Sequence, residues 1–301
     1  MSRFLSFCLS ATIQKTVTFG NLELAKVNRS EFYRMDASGK AVNSARVMNQ
    51  LEPGCVTAVC PLGAKNSALF LELAARDSIP VLHVEIPGYT RECLTLLDRL
   101  RGTTTEIVIT EPADAGDCSE QEAGLVGFID GILPSVDGVL IAGSRPEVWS
   151  DGLVACAAKM AVSAGKILLA DYCGEDLRRT LAVCTPSVIK INEEEFSRTF
   201  GFDTYLPEDV LMKAVAGKSR EFGNMVVVTR GKNDTFAADH GEFFRFPAET
   251  VRAVNTTACG DSFSAGFLHE YVLSGKFENA LSKGTYCAAR NAERECPGSI
   301  V

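Results

Sequence analysis

Four short apolar runs constrain this chain more than any other feature. GVLIA (138–142), ILLAD (167–171), SVIKI (187–191) and MVVVT (225–229) are too short for helices and too apolar for strands with one wet face. Stretches with helical spacing lie between them, so residues 119–231 read as a regular βαβα series. Strands buried on both faces and joined by helices form a parallel, doubly wound sheet with helices on both faces, which makes the expected fold class α/β. Ligands in such sheets lie beyond the carboxyl ends of the strands, so Gly143–Ser144–Arg145, residues 192–195 and residues 229–232 are the informative positions.

The N-terminal third departs from that rhythm. After a first apolar run at 4–9, residues 16–34 mix β-formers with polar residues and carry turn chemistry at Gly20–Asn21, which predicts exposed antiparallel strands. Asp36 to Lys40 reads as a loop, and 42–51 as a helix with Val42, Ala45, Val47, Met48 and Leu51 apolar. A buried strand at 55–60, the loop CPLGAKNS and a helix at 68–76 follow. Residues 81–110 read as successive strands with turns at Pro87–Gly88 and Arg101–Gly102, and with residues 16–34 they predict a small sheet outside the main one.

The stretch NTTACGDSFSAGF (255–267) carries the chemistry. Small residues run into Asp261, and a helical pattern follows at once. The amides of Ala258, Cys259, Gly260 and Asp261 would sit unpaired at the positive end of a helix, where a phosphoryl group is accepted without side-chain clash. A carboxylate there is either a first-turn acid satisfying the helix dipole or a general base that takes a proton from an incoming hydroxyl. KINEEEF leaves a similar choice, with Asn192 capping a helix and Glu195 in its first turn. No GxxxxGK[ST] loop is present, so a P-loop mechanism is excluded.

Composition narrows the partners. A net charge of −8, without a Lys/Arg cluster, argues against nucleic acid, and no segment is long enough to span a membrane. The 11 cysteines are never spaced as CxxC and read as reduced thiols of a cytoplasmic protein. The apolar run at 4–9 is shorter than the roughly 7–15 residues of a signal-peptide core.

These strings resemble the ribokinase-like (PfkB) carbohydrate kinases. NTTACGDSF is similar to the family's C-terminal signature DTxGAGDxF, with Asn255 for Asp and Ala258 for the first Gly. SGKAVNSA resembles its GGKGxNxA segment, with Ser38 and Ala41 for two glycines, and KINEEEF resembles its NxxE motif, with Ile191 where Pro is frequent. TEIVITEP looks like a stretch of the subgroup that acts on phosphorylated sugars, the tagatose-6-phosphate kinases and 1-phosphofructokinases. The resemblance implies one ribokinase-like domain over residues 1–301, with a β-sheet lid formed by about 14–36 and 84–111.

It also implies ATP-dependent phosphorylation of a hydroxyl on a sugar phosphate. Asp261 would be the catalytic base, and the amides of Ala258, Cys259 and Gly260 its anion hole. Gln14, Arg29, Gly39, Lys40, Asn43, Arg91 and Ser144 would meet the substrate; Lys190, Asn192, Thr229, Gly231 and Asn291 would meet ATP. Asn192 and Glu195 would hold Mg2+ through water. Two lid sheets would pair across a homodimer. Gln14 stands where the family has a sugar-binding Asp, a loss of roughly 1.5–3 kcal/mol of charge-assisted bonding. That departure leaves two alternatives: a kinase of an unphosphorylated sugar or nucleoside, or a catalytically weak sugar- or nucleotide-binding protein. An L-residue at position 258 with positive φ would carry a strain of roughly 1–2 kcal/mol.

Overall fold

The computed structural model describes residues 3–30, 32–110, 116–203 and 206–301. The first part of the chain forms β1 (Phe4–Phe7), β2 (Thr12–Phe19), β3 (Phe32–Ser38), α1 (Lys40–Leu51), β4 (Val56–Gly63), α2 (Ser67–Arg76), β5 (Val81–Ile86), β6 (Arg91–Asp98) and β7 (Thr103–Val108). The regular series then runs α3 (Ser119–Ile132), β8 (Gly138–Ala142), α4 (Leu153–Ser163), β9 (Ile167–Asp171), α5 (Gly174–Val183), β10 (Val188–Asn192), α6 (Glu193–Phe200), α7 (Glu208–Phe222) and β11 (Met225–Arg230). It closes with β12 (Asn233–Asp239), β13 (Glu242–Phe246), α8 (Cys259–Ser274) and α9 (Phe277–Ala292).

The apolar runs form the middle of a large sheet ordered β13-β12-β11-β10-β9-β8-β1-β4-β5. It is parallel from β5 to β11, with β12 and β13 antiparallel at one edge. Both faces are dry. Val139 and Ile141 of β8 pack with α3 to α7, whereas Leu140 and Ala142 pack with α1, α2, α8 and α9. Odd and even positions alike meet apolar partners, which is why those runs show no polar alternation. The chain winds outward from β1 to β4 and β5, then returns beside β1 at β8 and winds the other way, so the switch point lies between β1 and β8.

A separate sheet, ordered β3-β2-β6-β7, carries the N-terminal strands. It differs from the sequence reading in three ways. The β2–β6 pair is parallel, and the inward residues of β2 are fully buried, so these strands are not simply exposed antiparallel ones. Val81–Ile86 does not belong to it, because β5 pairs with β4 at the edge of the large sheet. An edge strand is only half covered, and its mixed pattern next to the Pro87–Gly88 turn imitates a hairpin strand. Asp36 lies inside β3, and β4 runs on through Gly63, which shortens two expected loops. Glu111 and Pro112 of TEIVITEP lie outside the described residues.

The sheets meet closely at Gly63. Its amide donates to Oγ1 of Thr90 at 2.8 Å, and a Cβ there would fall 2.1 Å from the backbone nitrogen of Thr90. Gly63→Ala should therefore cost about 2–3 kcal/mol in urea unfolding. Gly127→Ala in α3, where nothing lies within 4 Å, should be neutral or stabilising by about 0.5–1 kcal/mol. Equal behaviour of the two variants would contradict the close approach.

Candidate active site

α8 starts in an unusual way. Ala258, at its N-cap, has φ 64 and ψ 13, the left-handed conformation anticipated from the sequence. Its carbonyl accepts the Ser262 amide at 2.9 Å; the amides of Gly260 and Asp261 donate to no described residue, but that of Cys259, expected to be unpaired, donates to the Thr256 carbonyl at 3.4 Å because the loop turns back on itself there. The loop is braced from behind. The Asn291 side chain donates to the Thr257 carbonyl at 2.8 Å and to Sγ of Cys259 at 3.3 Å, and accepts the Gly298 amide at 2.6 Å. Asn255 accepts the Thr257 amide at 3.0 Å and donates to the Glu295 carbonyl at 2.9 Å.

Asp261 is 7% exposed and faces α1. Nδ2 of Asn43 donates to its Oδ2 at 2.8 Å, and Oγ of Ser44 donates to its carbonyl at 3.0 Å. Asn43 is itself oriented by Ser38 and Arg46, which donate to its Oδ1 at 2.9 and 3.3 Å. Gly39 precedes α1 with φ 105, and a Cβ there would lie 2.7 Å from the Ser10 carbonyl oxygen, so both the turn and the contact require glycine.

Asp171, at the carboxyl end of β9, organises the charges. Its Oδ1 accepts Nζ of Lys40 at 3.1 Å, and its Oδ2 accepts Nζ of Lys190 at 3.0 Å and Oγ of Ser264 at 2.7 Å. Burial would raise this carboxyl, but Lys190, Lys40 and Ser264 hold it well below its ordinary range. Lys40 is likewise pulled down by burial and raised further by Asp171, Glu195 and Asp261. Asp261 goes the other way. Burial pushes its carboxyl up to about 6, against the pull of Lys40, the Asn43 amide and Lys190, and Asp171 adds to the rise.

A cavity of about 240 Å³ opens between α8 and the small sheet. Of the sequence candidates it is lined by Gln14, Gly39, Lys40, Asn43, Arg91, Ala258 and Asp261. Gln14 donates to Oγ1 of Thr95 at 2.9 Å, and Nε of Arg91 donates to Oγ1 of Thr12 at 2.9 Å. Thr12, Glu106 and Thr257 line it as well, and Thr257 donates to the Glu106 carboxylate. Those three, with Asp171 and Ser264, were not singled out from the sequence. Asp171 carried a readable signal, an acid closing an apolar run at the carboxyl edge of the sheet.

Other candidates lie elsewhere. Arg29 is exposed in the β2–β3 connection, and Ser144 is exposed after β8; neither lines the cavity. Asn291 is buried with both ends of its amide engaged, so it braces the loop and has no bond left to offer a nucleotide. Lys190 is spent on Asp171 and on the Gly260 carbonyl at 3.1 Å. Cys259 and Gly260 stand beside the cavity, and burial raises the Cys259 thiol, which disfavours a thiolate. Thr229 pairs with Asn192 across β10–β11, and Gly231 turns the chain beyond it with φ 61. Asn192 and Glu195 form a capping box, with bonds of 2.8 and 2.9 Å. Oε1 of Glu195 remains outside the cap, 3.9 Å from Nζ of Lys40.

A carboxylate of raised pKa, free helix-terminal amides and a cationic floor in one cavity suit proton removal beside a transferring anion. Comparison with known proteins leads the same way. The sequence profile of the pfkB family carbohydrate kinases matches residues 12–299. Phosphofructokinase-2 from Escherichia coli in complex with fructose-6-phosphate superposes with a TM-score of 0.84 at 20% identity, over 99% of this chain and 96% of that one. The tetrameric inhibited form of that enzyme gives 0.84 at 21% identity, over 97% and 94%. A possible 1-phosphofructokinase from Thermotoga maritima gives 0.86 at 19% identity, over 99% and 93%.

The electrostatics generate a prediction about stability. Asp261 titrates near 6 when folded and near 3.8 when unfolded, so the native state binds the extra proton between those values and loses stability as pH rises through them. Above about pH 6 the buried carboxylate should cost on the order of 2–3 kcal/mol. Asp261→Asn should therefore melt higher than wild type at pH 7–8, with the gap closing as pH falls toward about 4. A gap independent of pH would refute this assignment.

Proposed function

The chain belongs to the pfkB family of carbohydrate kinases, and on that footing we propose that it transfers the γ-phosphoryl group of ATP to a hydroxyl of a sugar phosphate. The observation that carries this reading is the position of Asp261, buried beside free helix-terminal amides and facing a cavity that also holds Arg91. The Asp261 carboxylate takes the proton of the acceptor hydroxyl as its oxygen attacks. The amides of Gly260 and Asp261 and the ammonium of Lys40 stabilise charge on the phosphoryl group in transit. Arg91 receives the phosphate already present on the substrate, since its planar fork matches phosphate oxygens. The small sheet acts as a lid that excludes water.

ATP is assigned to the carboxyl ends of β10 and β11, at Asn192, Thr229 and Gly231, with Lys190 shaping the Gly260 carbonyl beneath. Asn192 and Glu195 suit Mg2+ held through water, because capping leaves Oε1 of Glu195 facing the cavity lysine. Bound there, Mg2+ supplies charge neutralisation at the nucleotide phosphates.

The Escherichia coli phosphofructokinase-2 complex with fructose-6-phosphate supports a phosphosugar acceptor here. Glu106 in the same cavity, and Arg29 outside it, favour the second reading, an unphosphorylated acceptor. We assign the chain to the cytoplasm; among the described residues no helix is long and apolar enough to cross a membrane. The face of the small sheet turned away from the cavity exposes Tyr33 and Ile107, which suits pairing with a second copy.

An ADP-release screen over fructose-6-phosphate, fructose-1-phosphate, tagatose-6-phosphate, ribose and adenosine tests the substrate class. Asp261→Asn should lower kcat by at least about 10²-fold. In the wild type, kcat/KM should fall about tenfold per pH unit below the carboxyl's value of about 6. Unchanged turnover in the variant would refute the base assignment. Arg91→Ala should raise KM for a phosphosugar by about 10-fold or more while KM for ATP moves little, the expected loss of a charge-assisted contact. Equal changes in both would favour the unphosphorylated acceptor.

A further inference from the structure

Three side chains of metal-binding type converge at the end of α8 remote from Asp261. Glu52 follows the last residue of α1, Pro53 and Gly54 turn the chain, and Cys55 leads into β4. The turn is closed by the Cys55 amide donating to the Glu52 carbonyl at 3.2 Å, and by the Gly54 amide donating to Oδ1 of Asn49 at 2.7 Å with Gly54 at φ 75. One string, EPGC, thus offers a carboxylate and a thiol to the same point, and His269 of α8 meets them there. One ligand atom of each residue lies within 4.8 Å of the other two. Nε2 of His269 lies 3.3 Å from Oε2 of Glu52.

Glu52 is a carboxylate neighbour of the imidazole at 3.3 Å, but the pair falls short of hydrogen-bond geometry. His269 is 6% exposed, and neither ring nitrogen forms a hydrogen bond among the described residues. Burying a polar ring without a well-formed hydrogen bond is unfavourable, and an apolar side chain beside the Phe4 ring, 5.5 Å away, would avoid that. Cys55 is 1% exposed and its thiol donates only a sulfur bond of 3.4 Å to the Met48 carbonyl. The Glu52 side chain is 28% exposed and opens the cluster to solvent.

We infer that Glu52, Cys55 and His269 form a binding site for one divalent transition-metal ion of the zinc class, separate from the phosphoryl-transfer centre. Thiolate and imidazole together select a borderline-soft ion over Mg2+ or Ca2+. Around tetrahedral zinc, with bonds of about 2.0–2.3 Å, neighbouring ligand atoms stand about 3–4 Å apart, so the present spacing closes onto an ion by side-chain adjustment. Three protein ligands leave a fourth position for water, on the solvent side at Glu52. Binding breaks the Cys55 S–H bond. The sulfur keeps the electron pair and donates it to the metal, the proton leaves to solvent, and no electron is transferred. The ion would fasten α8 to the α1–β4 turn, two helical turns beyond Asp261 on the same helix.

The test uses the full chain, stripped with chelator and titrated with Co2+ alone. One equivalent should bind with a thiolate-to-cobalt charge-transfer band; Zn2+ should displace it and raise the melting temperature, and excess Mg2+ should do neither. Cys55→Ser should abolish the band, and both it and His269→Gln should weaken binding by about 100-fold or more, since loss of even an outer partner costs about 10–100-fold. Cys156→Ser, at an exposed thiol, should leave the band unchanged. If Cys55→Ser fails to fold, Glu52→Gln carries the test through the same affinity readout. No band in the wild type, a band that survives Cys55→Ser, or equal Zn2+ stabilisation of wild type and variants would overturn the proposal. None of these readouts depends on kinase activity, so the site stands or falls apart from the catalytic assignment.

Discussion

A buried carboxylate held by two ammonium groups is the constraint on which the site depends. Asp171 has essentially no exposure, and alone it would be costly to ionise. Lys40 from α1, Lys190 from β10 and Ser264 from α8 meet it, so one carboxylate joins four elements that are distant in sequence. Such a cluster is not a source of stability, because desolvation offsets most of the attraction. Its value is positional. It fixes the entry of α1 against the entry of α8, and Asp261 and Asn43 inherit their geometry from that alignment. It also leaves Asp261 with a carboxylate neighbour and a shared cation, a balance that buries the group without forcing it to stay either charged or neutral.

How much of this was legible followed from local physics. The central strands were readable because burial on both faces leaves no polar residue to confuse the pattern, and β8 and β9 fall on the expected residues. β5 was not, since an edge strand beside a turn looks like part of a hairpin. The positive φ of Ala258 was legible only through the family resemblance, in which a glycine stands at that place, and the local residues left Asp261 open between a first-turn acid and a base. Arg29 and Ser144 were placed by position in a string, and nothing local says which way an exposed loop turns its side chains. Asn291 was expected to meet a nucleotide but has both ends of its amide tied within the protein, a fact that only tertiary contacts reveal. Asp171 was passed over although its place at the end of an apolar run was readable; what the string does not show is that two lysines from other elements meet it.

The loop before α8 stands under tension from several sides. Ala258 holds a conformation that costs an L-residue roughly 1–2 kcal/mol, and Asn291, Asn255 and Thr257 restrain it. Thr257 also bonds to Glu106 on β7, so the small sheet touches the loop directly. A strained backbone persists only where its surroundings over-determine it, and here one of those supports belongs to the sheet that walls the cavity.

The pairing of β2 with β6 has a kinetic consequence. The Thr12–Arg91 contact spans 79 residues of chain, and the interval contains α1, β4, α2 and β5. Closing so long a loop is entropically unfavourable until those elements have collapsed onto the large sheet and shortened the effective tether. The expected refolding order therefore closes the β2–β6 pairing after the intervening α1, β4, α2 and β5 have condensed.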